Sequence, residues 1–185
     1  VNSGITCILD WSHINATPQH ADAAIQGLRD AGIRAVYGYG PNFGVQPAWY
    51  DNLNNPYPGD IRRLRNQYFS SSDQLLTLAL AAAGPEFASV AAAEIEWKAA
   101  REVGARISVH VGVGQSGKQG LLAQLGQRVP LGNDTTYIHA CTLSDAEWDR
   151  IRDTGGTVSL AVPIEMQMGH GIPPIQRALD RGIRP

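Results

Sequence analysis

Five histidines, and a glycine-rich run beside one of them, carry most of the chemistry legible in this chain. His110 closes the run Ile107-Ser108-Val109-His110, and His139 closes Thr135-Thr136-Tyr137-Ile138-His139. Both runs read as buried strands, so each imidazole stands at the C-terminal end of one of two consecutive strands. Where parallel strands converge on a common mouth, neighbouring imidazoles can share one metal ion or one water. Imidazole suits zinc or iron, and such a metal acidifies a bound water for hydrolysis. The pattern therefore predicts His110 and His139 as a metal pair, with zinc expected first and iron second. The competing reading is two histidines hydrogen-bonded in a polar strand end. Glu165 and His170 follow a further apolar run, Thr157–Val162, in a loop that either meets substrate or is solvated. His13 follows the first strand and either lines the pocket or lies in water, whereas His20 sits in the first turn of a helix and is expected in solvent.

The segment Gly112-Val113-Gly114-Gln115-Ser116-Gly117-Lys118 satisfies G-x-G-x-x-G and nearly matches a phosphate loop. Its chemical partners are missing. A phosphate loop needs Ser or Thr after the lysine to hold magnesium, and this chain has Gln119. A dinucleotide site needs an acid at the tip of the next strand, and that tip is His139. Nucleotide binding is thus the weaker alternative.

These residues need a scaffold, and its punctuation repeats. Asp30-Ala31-Gly32, Glu102-Val103-Gly104, Asp153-Thr154-Gly155 and Asp180-Arg181-Gly182 each end an amphipathic stretch, and the first three lead into a short apolar run. Glycine tolerates the positive φ that follows a helix's last turn, so these are helix-to-strand junctions of an α/β protein with parallel strands. Strands are expected to begin near Ile5, Ala35, Leu76, Arg106, Thr135 and Thr157. Thr17-Pro18 opens one helix, the capping box Ser144-Asp145-Ala146-Glu147 opens another, and Phe87 to Val103 forms a third. Asp51 to Asn66 reads as a polar loop or lid. Met166 and Met168 read as packing side chains. Trp11, Tyr37 and Tyr39 are either core or a platform for a flat ring.

Composition excludes several classes. The 185 residues hold 15 basic and 17 acidic side chains, a net charge of −2, which supplies no electrostatic footprint for nucleic acid or an anionic membrane. With 43% hydrophobic and 17% charged residues the chain can build a core, while 20 glycines and 11 prolines point to many tight connections. No apolar stretch approaches the roughly 20 residues of a membrane span. Two cysteines are too few for a disulfide scaffold, so a cytoplasmic protein is the expectation.

The stretches Gly4-Ile5-Thr6-Cys7-Ile8-Leu9-Asp10-Trp11-Ser12-His13, Tyr137-Ile138-His139-Ala140-Cys141-Thr142-Leu143-Ser144 and Glu165-Met166-Gln167-Met168-Gly169-His170-Gly171 resemble the metal-dependent amidohydrolase superfamily. The branch is the one holding cytosine deaminases, adenosine-derivative deaminases and triazine chlorohydrolases, and the resemblance covers nearly the whole chain. It implies a (β/α)8 barrel of TIM type and hydrolysis of a C–N or C–Cl bond in a cyclic amide- or amidine-like substrate. It makes His110 the metal ligand ending strand five. His139 becomes the catalytic strand-six histidine, which binds metal or orients the attacking water. His13, Glu165 and His170 stay candidate substrate-facing residues on their place after strands alone. The family's His-x-His pair and its strand-eight aspartate have no counterpart here, and the glutamate that deaminases carry three residues after the strand-five histidine is Val113. Deamination as such is therefore not implied, and with only two of the family's ligands the isolated chain is expected to be inactive.

The chain opens and closes at helix-to-strand junctions and lacks an initial methionine. The expectation is one incomplete barrel domain over residues 1–185, holding about six of eight βα units, strands 2 to 7. A complete, small doubly wound sheet is the competing fold. Unpaired strand edges predict a homo-oligomer. A non-catalytic barrel piece that only assembles with another chain is the competing function.

Overall fold

The structure is a computed structural model that describes residues 3–43, 49, 56–71 and 73–185. The chain divides into two compact units, Val1–Ala82 with Lys98–Arg106, and Ala83–Trp97 with Ile107–Pro185.

The first unit carries β1 (Cys7–Ser12), α1 (Pro18–Ala31), β2 (Arg34–Tyr39), α2 (Ile61–Tyr68) and β3 (Leu76–Ala82). β1 pairs with β2 and β2 with β3, both parallel, so sequence order is sheet order. Pro18 starts α1 at the position that needs no N–H. Ala21 and Ile25 are its buried face. Tyr37 is buried core: its ring stacks on Phe69 at 6.3 Å, and its hydroxyl donates to Asn15 Oδ1 at 3.0 Å. Asn15 in turn donates to the carbonyls of Ser12 and Gly40, which ties the ends of β1 and β2 together. Tyr39 is likewise buried, while Trp11 stacks on Phe43.

One expectation fails here. Of the polar loop expected over Asp51 to Asn66, residues 51–55 lie outside the described residues, but Ile61–Tyr68 is helical. Ile61 and Leu64, one turn apart, are fully buried. Arg63 holds the turn through Asp60 at 2.7 Å and Asp22 at 2.7 Å. Two apolar positions among three arginines made the segment look solvated.

The second unit carries the one-turn α3 (Gly84–Phe87), β4 (Arg106–Val111, from Ile107 on), α5 (Leu121–Leu125), β5 (Thr135–His139), α6 (Asp145–Asp153), β6 (Thr157–Ser159), α7 (Val162–Gln167) and α8 (Ile175–Leu179). β4 pairs with β5 and β5 with β6, again parallel and sequential. The helix α4 (Val90–Glu102) belongs partly to each unit. It begins later than the expected Phe87, because Ser89 Oγ accepts the Ala92 N–H and starts a new helix. The expected capping box is present, with Glu147 Oε2 accepting the Ser144 N–H at 3.0 Å.

All four junction glycines adopt positive φ, from +62° at Gly32 to +74° at Gly155. Met166 and Met168 were expected to pack, yet they are 67% and 65% exposed. Both cysteines are free thiols. Among the described residues no helix is long and apolar enough to cross a membrane.

Candidate functional site

The ends of β4 and β5 bring two imidazoles together. His110 Nδ1 and His139 Nε2 are 3.0 Å apart, with the rings stacked at a centroid distance of 5.0 Å. The register makes this contact unexpected. His110 lies opposite Ile138, and His139 lies opposite Val111. Residues opposite each other on parallel strands share a face, and the face alternates along each strand. A regular ladder would thus send His139 away from His110. His139 instead has φ +74° and Ala140 has φ +51°, left-handed values that are costly outside glycine. This kink breaks the alternation and turns the His139 ring onto the face of His110.

A carboxylate holds the kinked histidine. Glu165, in the first turn of α7, has a fully buried side chain. Its Oε1 lies 2.8 Å from His139 Nδ1 and accepts the Ala161 N–H at 2.7 Å. Burial pulls the Glu165 carboxyl upward, but those two donors outweigh it and hold it below the usual carboxylate range. His170 stands edge-on to His139 at 4.4 Å. Burial, followed by the neighbouring His139, pushes the His170 imidazole down. Its backbone is tied at both sides: the His170 N–H donates to the Glu165 carbonyl, and its carbonyl accepts the Gly114 N–H at 2.8 Å.

The glycine-rich loop turns out to serve these histidines. Gly112 N–H donates to Glu86 Oε1 at 2.5 Å, Val113 N–H to Glu86 Oε2 at 3.0 Å, and the Ser116 hydroxyl to Oε2 at 3.4 Å. The cradle that resembled a phosphate site is filled by the protein's own carboxylate. Burial pushes Glu86 up, against the pull of those N–H groups. A side chain on Gly117 would collide with Thr142 and with Gly112 itself, so that glycine permits close packing. Nucleotide binding at Gly112–Lys118 does not fit this arrangement. Next to Glu86, Phe87 presents its ring to His110 in an edge contact at 6.0 Å.

The second unit thus gathers four of the expected residues, His110, His139, Glu165 and His170. Glu165, expected in a loop that meets substrate or water, lies instead on α7 and faces His139. His13 belongs to the first unit, where it is exposed beside Trp11 at 5.8 Å and Phe43 at 6.0 Å. His20 is exposed as expected and bonds to Thr17. Glu86 was missed. Its one signal was an acid in the single turn Gly84-Pro85-Glu86 directly after a strand. Among the described residues no group of three or more His, Cys, Asp or Glu side chains is placed to hold a metal ion.

No protein-family model matches this sequence, and no curated protein matches it. Solved structures do. A zinc-bound adenosine deaminase from Xanthomonas campestris superposes with a TM-score of 0.79 at 18% identity, over 97% of this chain and 40% of that one. Guanine deaminase from E. coli gives 0.77 at 16% identity, over 97% and 44%. A zinc complex of atrazine chlorohydrolase from Arthrobacter aurescens gives 0.72 at 20% identity, again over 97% and 44%. The chain spans less than half the length of each. With its parallel strands in sequential order and helices between them, this chain carries six strands of the (β/α)-barrel fold of TIM type that these deaminases and the chlorohydrolase share.

Proposed function

We propose that this chain is the metal-site portion of a metal-dependent hydrolase of the amidohydrolase type, forming a single partial barrel domain over residues 1–185. Its substrate class is a small cyclic amide or amidine-like molecule cleaved at a C–N or C–Cl bond. The observation that carries the reading is the His110–His139 pair at two adjacent strand ends, with 3.0 Å between the facing nitrogens. Two ligands at ~2.0–2.1 Å on one tetrahedral zinc stand roughly 3.3 Å apart, so the donor pair fits a shared ion. The tether from His139 Nδ1 to a carboxylate is the arrangement that metal-binding histidines use. The likeness to zinc-bound hydrolases supports zinc over iron.

His110 and His139 would hold the metal, which when bound supplies an acidified water. The remaining work falls to this chain's own groups. Glu165 orients His139 and stays charged while doing so. His170 stands edge-on to the His139 ring, and Phe87 meets the His110 ring edge-on. Substrate contact in the second unit falls to His170, beside the His139 ring. The protein works in the cytoplasm on small molecules. A second reading, metal binding without turnover, follows from the donor count: two imidazoles, where a catalytic zinc uses about three protein ligands.

Zinc titration of the chain, by calorimetry and by competition with a chromogenic chelator, tests both readings. Zinc should bind reversibly and more weakly as pH falls, because only neutral imidazole is a ligand. His110→Ala and His139→Ala should each remove most of the binding, and His20→Ala should leave it intact. Ammonia or chloride release from cyclic amidines and chlorotriazines by the zinc-loaded chain would exclude the second reading. Equal zinc binding by wild type and both strand-end variants would reject the metal site.

A further inference from the structure

We infer that Glu165 is a positioning residue that keeps the proton of His139 on Nδ1, and so presents the bare Nε2 of His139 toward His110. The inference deepens the metal-site reading above and, for its zinc arm only, rests on it.

The argument is a count of donors and acceptors. An ionised carboxylate only accepts, and Glu165 Oε1 stands 2.8 Å from His139 Nδ1. The proton of that bond must therefore sit on Nδ1. In the neutral form, the one that can ligate a metal, the imidazole carries one N–H, so with Nδ1 protonated Nε2 is the lone pair. His110 Nδ1, 3.0 Å away, then donates into it. Every proton in the row runs one way, from His110 to His139 to Glu165. The Glu165 side chain is fully buried, so water does not compete for the bond. The same oxygen accepts the Ala161 N–H at 2.7 Å, which marks it as an acceptor.

Local sequence explains why the carboxylate can do this. Pro163 occupies the start of α7, and Glu165 reaches back to the Ala161 N–H just before the helix. A capping role alone would need only that second bond. The positioning role adds a consequence that capping lacks. To hold a metal together, His139 would offer an already bare Nε2, while His110 would have to give up its Nδ1 proton. Zinc should change the tautomer of His110 and leave that of His139 untouched.

The test is a long-range 1H–15N correlation spectrum of the 185-residue chain, labelled with 15N at histidine, recorded without metal and with zinc chloride. Metal-free wild type should show His139 with a protonated Nδ1 and a bare Nε2. On zinc addition His110 alone should move its proton from Nδ1 to Nε2. Glu165→Ala should give His139 a mixture of tautomers and lower zinc affinity about 10–100-fold. Glu165→Gln, whose amide oxygen can accept the same two N–H groups, should keep the wild-type tautomer and most of the affinity. A His139 protonated on Nε2 in wild type overturns the proposal, as does a Glu165→Ala spectrum with the wild-type tautomer and lowered stability, which is the signature of capping alone. Should Glu165→Ala not fold, the wild-type and Glu165→Gln spectra still decide. If wild type takes up no zinc, the metal reading falls while the metal-free tautomer of His139 still decides this one.

Discussion

Gly112 lies so close to Ala140 that a Cβ added to it would meet the Ala140 carbonyl carbon at 2.7 Å and its Cα at 2.8 Å. The loop that follows His110 and the kink that follows His139 are thus in backbone contact. Hydrogen bonds fix the contact on both sides: Ala140 N–H donates to the Val111 carbonyl at 2.9 Å, and Thr142 N–H to the Gly112 carbonyl at 3.0 Å. Gly112→Ala would push the backbone that turns His139 toward His110. Its φ of +67° adds strain for any residue with a side chain. We expect a loss of about 2–4 kcal/mol in urea unfolding, with weaker zinc binding. Gly120 has the same φ with nothing within 4 Å of a Cβ, so Gly120→Ala should lose only about 1–2 kcal/mol. Equal losses would show that the contact with Ala140 is unimportant.

Glu86 gives a pH signature. Its folded carboxyl titrates above the ordinary value of 4.5, because burial outweighs the N–H groups of Val113 and Gly112. The folded state therefore binds that proton more tightly than the unfolded chain does. The contribution of Glu86 to stability is present below 4.5 and is lost as pH rises from there through the raised value. Relative to Glu86→Gln, wild type should lose stability across that window, and the difference should level off above it. Urea unfolding of both proteins at a series of pH values measures this, and a difference that grows in favour of wild type would reverse the assignment.

Nucleotides should not bind at Gly112–Lys118. Glu86 already takes the N–H groups of Gly112 and Val113, and a phosphate would have to displace a carboxylate from them. Calorimetric titration with ATP or NAD should show no binding in the micromolar range. Micromolar affinity, abolished by Lys118→Ala, would restore the phosphate-loop reading.

Exposed apolar side chains of the second unit predict self-association. Ile172 is 86% exposed and follows the exposed Met166 and Met168, with Ile175 and Leu179 of α8 also uncovered. Scattered apolar residues are ordinary on a surface, whereas a run of this kind marks a face that is covered in use. Light scattering should report a dimer or larger species, and Met166→Lys with Ile172→Lys should shift it toward monomer. A monodisperse monomer across the micromolar range would refute the prediction.

Much of this arrangement was legible from residue types alone. Glycines after charged helix ends marked the helix-to-strand junctions, because a left-handed cap is a local requirement. The apolar runs ending at His110 and His139 marked both strand ends, and Ser144 with Glu147 marked a helix start, because these signals lie within a few residues. What the sequence could not determine was which way His139 faces. Counting along β5 sends its ring to the side of Val111, away from His110, and only the left-handed backbone at His139 and Ala140 reverses it. That conformation depends on Gly112 from β4's loop and Glu165 from α7, both distant along the chain. The same holds for Glu86, whose role exists only once the loop after β4 folds over α3. Local signals set where elements begin and end; which atoms then meet was decided by contacts between residues some 26 positions apart, which no spacing rule reads.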